Sequence, residues 1–343
     1  MKVGLIGTGA IANMHARAYH NIGFELVACY NKTEARGRDF AQKWSAELVR
    51  SVDELCHYPG LDYVDVCSFP DSHLEPVKIC AEIKRAIMLQ KPIATNLAEA
   101  RKMVDLGRAA GITLGVMSQH RFDDSTIFLK RAIAAGRLGK ILEADAYVKW
   151  FRSDEYYSRP IKGSWKTEGG GALINQAIHQ VDVLLHLIGP VSEVNGMWQL
   201  GARHKIESED VVSAQFRYQS GAMGVIQAAT AFWPGYTERI EIHGTRGSAI
   251  ISGDKLTSWD IVDDEKANIA DPAPVAQAVA SGSSDPMAIS VTTFERQFTD
   301  FAEAIRTKRE PLSNGEDGYR ALEFVLGVYQ SCREGHRVTL ARV

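Results

Sequence analysis

No part of this sequence is basic enough to track a phosphate backbone. Its 39 lysines and arginines are interspersed with 42 acidic residues, leaving a net charge of −3. Nucleic-acid binding therefore has no electrostatic support. Apolar runs are short. None approaches the roughly 20 residues needed to span a bilayer, so no membrane partner is expected. Cysteine is scarce and scattered: Cys29, Cys56, Cys67, Cys80 and Cys332 form no C-x-x-C pair. Cys29 and Cys67 sit inside apolar runs that read as strands, where a thiol acts as a small buried hydrophobe. An odd, dispersed set argues against a disulfide framework and for a reducing compartment. The Met-Lys start leads straight into a strand and lacks the architecture of a signal peptide, so we expect a cytoplasmic protein.

What remains is an ordinary globular composition, 45% apolar and 24% charged. The chain's 343 residues exceed what one core usually serves, so two domains are expected. Residues 3–6 form a short apolar run that ends in Gly7-Thr8-Gly9-Ala10-Ile11-Ala12, and a helical pattern follows. This strand–glycine turn–helix sequence is the G-x-G-x-x-A form of the dinucleotide fingerprint. The first glycine makes the turn tight, and the second lets a pyrophosphate approach the backbone. Free N–H groups at the helix start then face the phosphates, so Gly7, Thr8, Gly9, Ala10 and Ile11 are cofactor candidates.

A second strand, 24–30, ends at Tyr30-Asn31-Lys32-Thr33, with Arg36 just beyond. The acid that usually binds the NAD ribose at such a tip is absent. Asn31 can still bond a ribose, and Lys32 and Arg36 can pair with a 2′-phosphate. The cofactor is NAD or NADP, with a lean to NADP; solvated cations at a helix start are the competing reading. A third strand, 61–67, ends before Pro70 and His73, which topology places near the cofactor, although His73 could equally cap the next helix. Residues 86–89 stop at Gln90-Lys91-Pro92. A helix over 97–110 and a strand over 112–117 end the alternation, close to His120 and Arg121. Residues 1–120 thus read as a doubly wound α/β Rossmann domain.

Residues 121–343 read differently. A strand-like stretch over 140–150 and a loop rich in Arg, Tyr, Trp and Gly lead to the helix opened by Gly169-Gly170-Gly171. Asn175, His179, Asp182 and His186 recur on that helix at steps of four, three and four, which puts them on one stripe. Extended runs over 191–200, 211–218, 223–231, 238–243 and 248–252 predict an α+β domain with a large open, mainly antiparallel sheet. Residues 263–288 read as a polar surface excursion, and helices over 293–306 and 315–334 close the chain. An open sheet leaves one apolar face needing cover, so a homodimer or homotetramer is expected.

At Gly7-Thr8-Gly9-Ala10-Ile11-Ala12, Gln90-Lys91-Pro92 and residues 169–182, the whole chain resembles the glucose–fructose oxidoreductase / inositol dehydrogenase (Gfo/Idh/MocA) family. The resemblance implies a Rossmann domain, a sheet-based second domain, and oxidation or reduction at a secondary hydroxyl or ketone of a sugar, glycoside or cyclitol. The family's E-K-P motif falls on Gln90-Lys91-Pro92. The lysine is kept, which implies that Lys91 contacts the reacting oxygen beside the cofactor, and Gln90 replaces the acid. The D-x-x-x-H motif falls on Asn175 to His179, with Asn175 in place of the aspartate.

Alcohol oxidation needs a base for the hydroxyl proton and a group that stabilises the developing alkoxide; the hydride chemistry belongs to the nicotinamide. His179 is the best base, since imidazole titrates near neutrality, and Lys91 the best electrostatic partner. The roles swap if burial lowers the lysine's pKa. Asn175, Asp182, Arg121, His120 and Trp165 are substrate-binding candidates: the Asp182 oxygens suit a sugar diol and the Trp165 face suits a ring, with simple packing an equal reading for Trp165. The three glycines suit a loop approached closely by a ligand. His186 lies a turn beyond and is not assigned chemistry. His179, Asp182 and His186 have a spacing that could hold a metal, but no second ligand cluster accompanies them, so no metal is expected. The alternatives are a reductase of other carbonyl compounds, such as a diketone or keto-sugar, and a non-catalytic nucleotide-binding regulator of the same fold.

Overall fold

From Lys2 onward the chain alternates strand and helix: β1 (Lys2–Ile6), α1 (Ala10–Asn21), β2 (Glu25–Tyr30), α2 (Glu34–Trp44), β3 (Glu47–Leu48), α3 (Val52–Cys56), β4 (Tyr63–Val66), α4 (Leu74–Glu82), β5 (Ala86–Leu89), α5 (Leu97–Ala110) and β6 (Leu114–Val116). The computed structural model describes residues 1–159, 161–262 and 290–341. These six strands pair in parallel in the order β3-β2-β1-β4-β5-β6. Strands of a sheet covered on both faces read as continuous apolar runs. Accordingly all four residues of β4 and of β5 are buried. Local signals set the helix limits. Asn96 accepts the Glu99 backbone N–H at the start of α5, and Gly111 ends that helix in the left-handed conformation. The strand order reverses between β1 and β4, so their C-terminal ends border the crevice where such sheets bind ligands.

The second compact unit begins at His120. It holds α6 (Asp124–Ala134), β7 (Ile141–Lys149), α7 (Asp154–Tyr157), α8 (Trp165–Glu168), α9 (Ile178–Ile188), β8 (Val191–Leu200), β9 (Glu209–Tyr218), β10 (Met223–Ala229), β11 (Arg239–Gly244), β12 (Gly247–Ser252) and β13 (Lys255–Ile261). After the undescribed residues come α10 (Thr292–Thr307), α11 (Gly315–Glu334) and β14 (Val338–Thr339). Eight strands form the second sheet, in the order β13-β12-β11-β7-β10-β9-β8-β14. Every pairing is antiparallel except β7 with β10. On one face, Ala144, Ala146, Val148, Ala214, Phe216, Ile226, Ile240 and Ile242 are buried. The α9 residues Ile178, Val181, Leu184 and Leu187 recur at helical spacing and are buried as well.

Two expectations change. The first compact unit is Met1–Gln119 together with Ser290–Tyr319, so a single 121–343 domain is not what forms. The reason is the run Phe294, Phe298, Phe301 on α10: these rings are buried, and Phe298 lies 4.4 Å from the ring of Tyr19 on α1. The other face of the second sheet is not apolar. Tyr147 is flanked there by the Arg239 guanidinium at 5.0 Å and the Lys149 ammonium at 5.4 Å, and Glu241 pairs with Arg239. The 263–288 excursion falls outside the described residues. No described helix is long and apolar enough to cross a membrane.

Candidate active site

In the first unit, β1 is followed by Gly7, whose φ of +88° belongs to glycine; a Cβ there would stand 2.7 Å from the Ser68 backbone nitrogen. The turn that follows is held from the side. The Thr8 N–H donates to Asn31 Oδ1 at 3.2 Å, and Asn31 Nδ2 donates to the Thr33 carbonyl at 2.8 Å. The expected ribose ligand Asn31 thus also supports the glycine turn. The start of α1, at Ala10 and Ile11, has neither a capping side chain nor an acid in its first turn. A Cβ on Gly9 would meet nothing within 4 Å. Uncapped N–H groups beside open space fit a dinucleotide's phosphates. Lys32 and Arg36 are exposed at the β2 tip.

Pro70 is buried at the start of a short turn, Pro70–Ser72. His73 requires a correction. It is fully buried, with Nδ1 2.9 Å from the Ile93 carbonyl and Nε2 3.2 Å from the Ser68 carbonyl. Burial lowers its pKa against the pull of those carbonyls. With both ring nitrogens turned to backbone, His73 ties the loop after β4 to the segment after β5 instead of touching a cofactor.

Lys91 follows β5 and is partly exposed, while Gln90 is 7% exposed and bonded on both sides of its amide. Gln90 Nε2 lies 2.8 Å from His15 Nε2, and Gln90 Oε1 accepts the Lys91 N–H at 3.2 Å. His15 Nδ1 in turn lies 2.7 Å from Asp65 Oδ2, which also accepts the Tyr19 hydroxyl at 2.6 Å. The sequence reading missed His15 and Asp65. The available signal was an acid inside the apolar strand β4 and an imidazole on the buried face of α1. His15, Asp65 and Cys67 lie close enough to share a cation. Asp65 Oδ2 is instead engaged by His15 and Tyr19, and burial holds the Cys67 thiol well up, in its protonated form.

In the second unit the glycine run has a different purpose from the one expected. Gly169 ends α8 with φ +79°. A Cβ on Gly170 would stand 2.5 Å from the Tyr329 hydroxyl, and one on Gly171 would stand 1.8 Å from the Glu209 carbonyl. The glycines therefore answer to the protein's own packing, not to a ligand. Glu209 clamps the turn, accepting the Gly171 N–H at 2.8 Å, the Leu173 N–H at 2.9 Å and the Tyr329 hydroxyl at 2.7 Å. Burial pushes its carboxyl up to about 7 against those three donors.

The continuous α-helix expected from Gly169 is interrupted too. Residues Leu173–Ala177 form a π-helical turn before α9 begins. Asn175 and His179 are partly exposed amid otherwise buried neighbours. Asn175 Nδ2 donates back to the Gly170 carbonyl at 3.1 Å. The His120 ring stands edge-on to His179, with centroids 5.3 Å apart. Burial weighs against a charge on His120, but Asp123, 2.8 Å from Nδ1, together with Glu238 and Asp254, raises its pKa on balance.

Asp182 was expected to bind a diol. Instead both its oxygens face Arg121, which donates from Nε at 2.8 Å and from Nη2 at 2.7 Å in a buried fork. A buried carboxylate needs such a partner, and the guanidinium geometry matches it. Arg121 and Asp182 therefore brace α9 against the segment after β6. This also removes Asp182 from any metal-binding set. Trp165 donates Nε1 to the Glu207 carbonyl at 3.0 Å and packs against Trp198 and Tyr329, so its ring belongs to an aromatic cluster. His186 is pushed down to about 3, by burial first and then by Arg121 and Lys130.

Residues 1–118 match the oxidoreductase family with an NAD-binding Rossmann fold, and residues 127–250 match the Gfo/Idh/MocA C-terminal domain. The chain belongs to the Gfo/Idh/MocA family of oxidoreductases. The myo-inositol 2-dehydrogenase of Thermotoga maritima is 25% identical over all of this chain and 99% of its own length. The 1,5-anhydro-D-fructose reductase of Ensifer adhaerens is 28% identical, over 97% of this chain and 96% of its own. Among solved structures, the WlbA dehydrogenase of Bordetella pertussis in complex with NADH and UDP-GlcNAcA superposes with a TM-score of 0.87 at 26% identity. That match covers all of this chain and 98% of the other.

Proposed function

We propose that this oxidoreductase moves a hydride between a nicotinamide cofactor and a secondary hydroxyl or ketone of a sugar, glycoside or cyclitol. The observation that carries the reading is the placement of His179. His179 is partly exposed while every other residue from Gln176 to Leu184 is buried, and it stands next to His120 and one turn from Asn175. His179 takes the hydroxyl proton, and the Lys91 ammonium stabilises the alkoxide. Asn175 and His120 bind neighbouring hydroxyls. Gly7, Thr8, Gly9 and the start of α1 hold the dinucleotide, which supplies the hydride acceptor or donor when bound. The relatives' names point to polyhydroxylated rings. NAD is the family's cofactor, and the exposed Lys32 and Arg36 extend acceptance to NADP. The protein works as a homo-oligomer, and its free, mostly buried cysteines suit the cytoplasm.

The test is nicotinamide absorbance followed over a panel of sugars and cyclitols with NAD and with NADP. Lys91→Met and His179→Ala, each alone, should lower turnover by about a hundredfold or more. Cofactor binding, followed by NADH fluorescence, should persist. Full turnover in either variant removes that residue from its role.

A further inference from the structure

We propose that Asp65 and His15 are positioning residues for Lys91 and act through the side-chain amide of Gln90. The inference rests on the reading that Lys91 takes part in the reaction. Three bonds define the chain. Asp65 Oδ2 lies 2.7 Å from His15 Nδ1, His15 Nε2 lies 2.8 Å from Gln90 Nε2, and Gln90 Oε1 accepts the Lys91 N–H at 3.2 Å. Their polarity can run in only one direction. A carboxylate accepts, so Asp65 holds the imidazole proton on Nδ1. Nε2 is then a lone pair and accepts from the Gln90 NH2. That orients the amide with its oxygen toward the backbone N–H of Lys91, which fixes the peptide from which the lysine side chain projects. Asp65 and His15 are fully buried, and Tyr19 donates a second bond to the same Asp65 oxygen. No solvent competes for these groups, so the orientation at one end is transmitted to the other.

The chain also gives a physical reason for the amide at position 90. A carboxylate there would set an oxygen against the Nε2 lone pair. The bond would survive only if the imidazole carried a second proton. The groups facing His15 are Asp65 and Cys67 from the β4 side, Tyr19 from its own helix, Gln90 from the end of β5, and the rings of Phe294 and Phe298 from α10.

Two near-isosteric variants test the proposal in the full chain with NAD bound. Asp65→Asn loosens the tautomer, letting Nε2 carry the proton and turn the amide away from Lys91. Turnover should fall about 10- to 100-fold with the cofactor KM unchanged. Gln90→Glu makes turnover depend on a protonated His15. Its kcat should drop toward alkaline pH more steeply than the parent's. If Asp65→Asn does not fold, the pH profile of Gln90→Glu decides alone. Parental kcat and pH profile in both variants, beside an inactive Lys91→Met, overturn the relay and leave Lys91 in place. An active Lys91→Met overturns the relay together with the role of the lysine.

Discussion

Polar residues on the α9 side of the second unit share a spacing but not a fate. His179 and Asn175 are partly exposed, Asp182 is paired with Arg121, and His186 is held neutral. The last of these has a measurable consequence. In the folded chain His186 resists protonation down to about 3, against an ordinary 6.5. Below 6.5 the unfolded imidazole takes up a proton that the folded one refuses. The stability from this group is therefore complete above that pH and is lost as the pH falls toward the folded value. His186→Gln cannot take the proton. Its melting temperature should decline less steeply on acidification than the parent's, and parallel declines would show that His186 does not titrate this way. The identity of His179 and Lys91 as polar residues among apolar ones was readable from the sequence. The engagement of Asp182 was not, because its partner Arg121 lies 61 positions away and spacing along one helix is blind to it.

At the scale of elements, the 169–188 segment departs most from its pattern. Steps of four, three and four predict one α-helical stripe, but the segment runs through a left-handed cap, a glycine turn and a π-turn before α9 starts. The cause lies in β9 and α11: Glu209 accepts two N–H groups of the turn, and the Tyr329 hydroxyl, itself donating to Glu209, accepts the Ile174 N–H at 3.2 Å. A methyl group at Gly171 would collide with the Glu209 carbonyl. Gly171→Ala should therefore cost about 1–3 kcal/mol of stability in urea unfolding, with a larger loss of turnover as His179 moves. An unchanged midpoint would mean that the turn can shift off Glu209 freely. The Rossmann elements were easier to read. Their strands are buried on both faces and their helices carry capping signals such as Asn96 and Gly111, so local sequence and final environment agree.

For the whole molecule, the chain path and the second sheet decide what is exposed. The three phenylalanines of α10 carry residues 290–319 back to the first unit, a long-range choice that their helical period alone does not reveal. The polar face of the second sheet bears Tyr147, Lys149, Arg239, Glu241 and Met197, the last 77% exposed. Such a mixed aromatic and charged face suits a subunit interface. Light scattering should give a dimer or tetramer at micromolar concentration, and Arg239→Glu should shift it toward monomer. A stable monomer for the parent protein would rule the oligomer out.

The sequence by itself determined the dinucleotide turn, the alternation of strands and helices in the first unit, and the open second sheet. These follow from local rules: glycine conformation, apolar period and capping. Only the tertiary structure decided that Asp182 serves Arg121, that the triple glycine serves Glu209 and Tyr329, that His73 serves the backbone, and that Asp65 and His15 stand behind Gln90. The buried polar groups among them, Asp182, Glu209 and Asp65, have partners far away in the sequence. Removed from water, each must be satisfied by whatever the fold brings within hydrogen-bond reach.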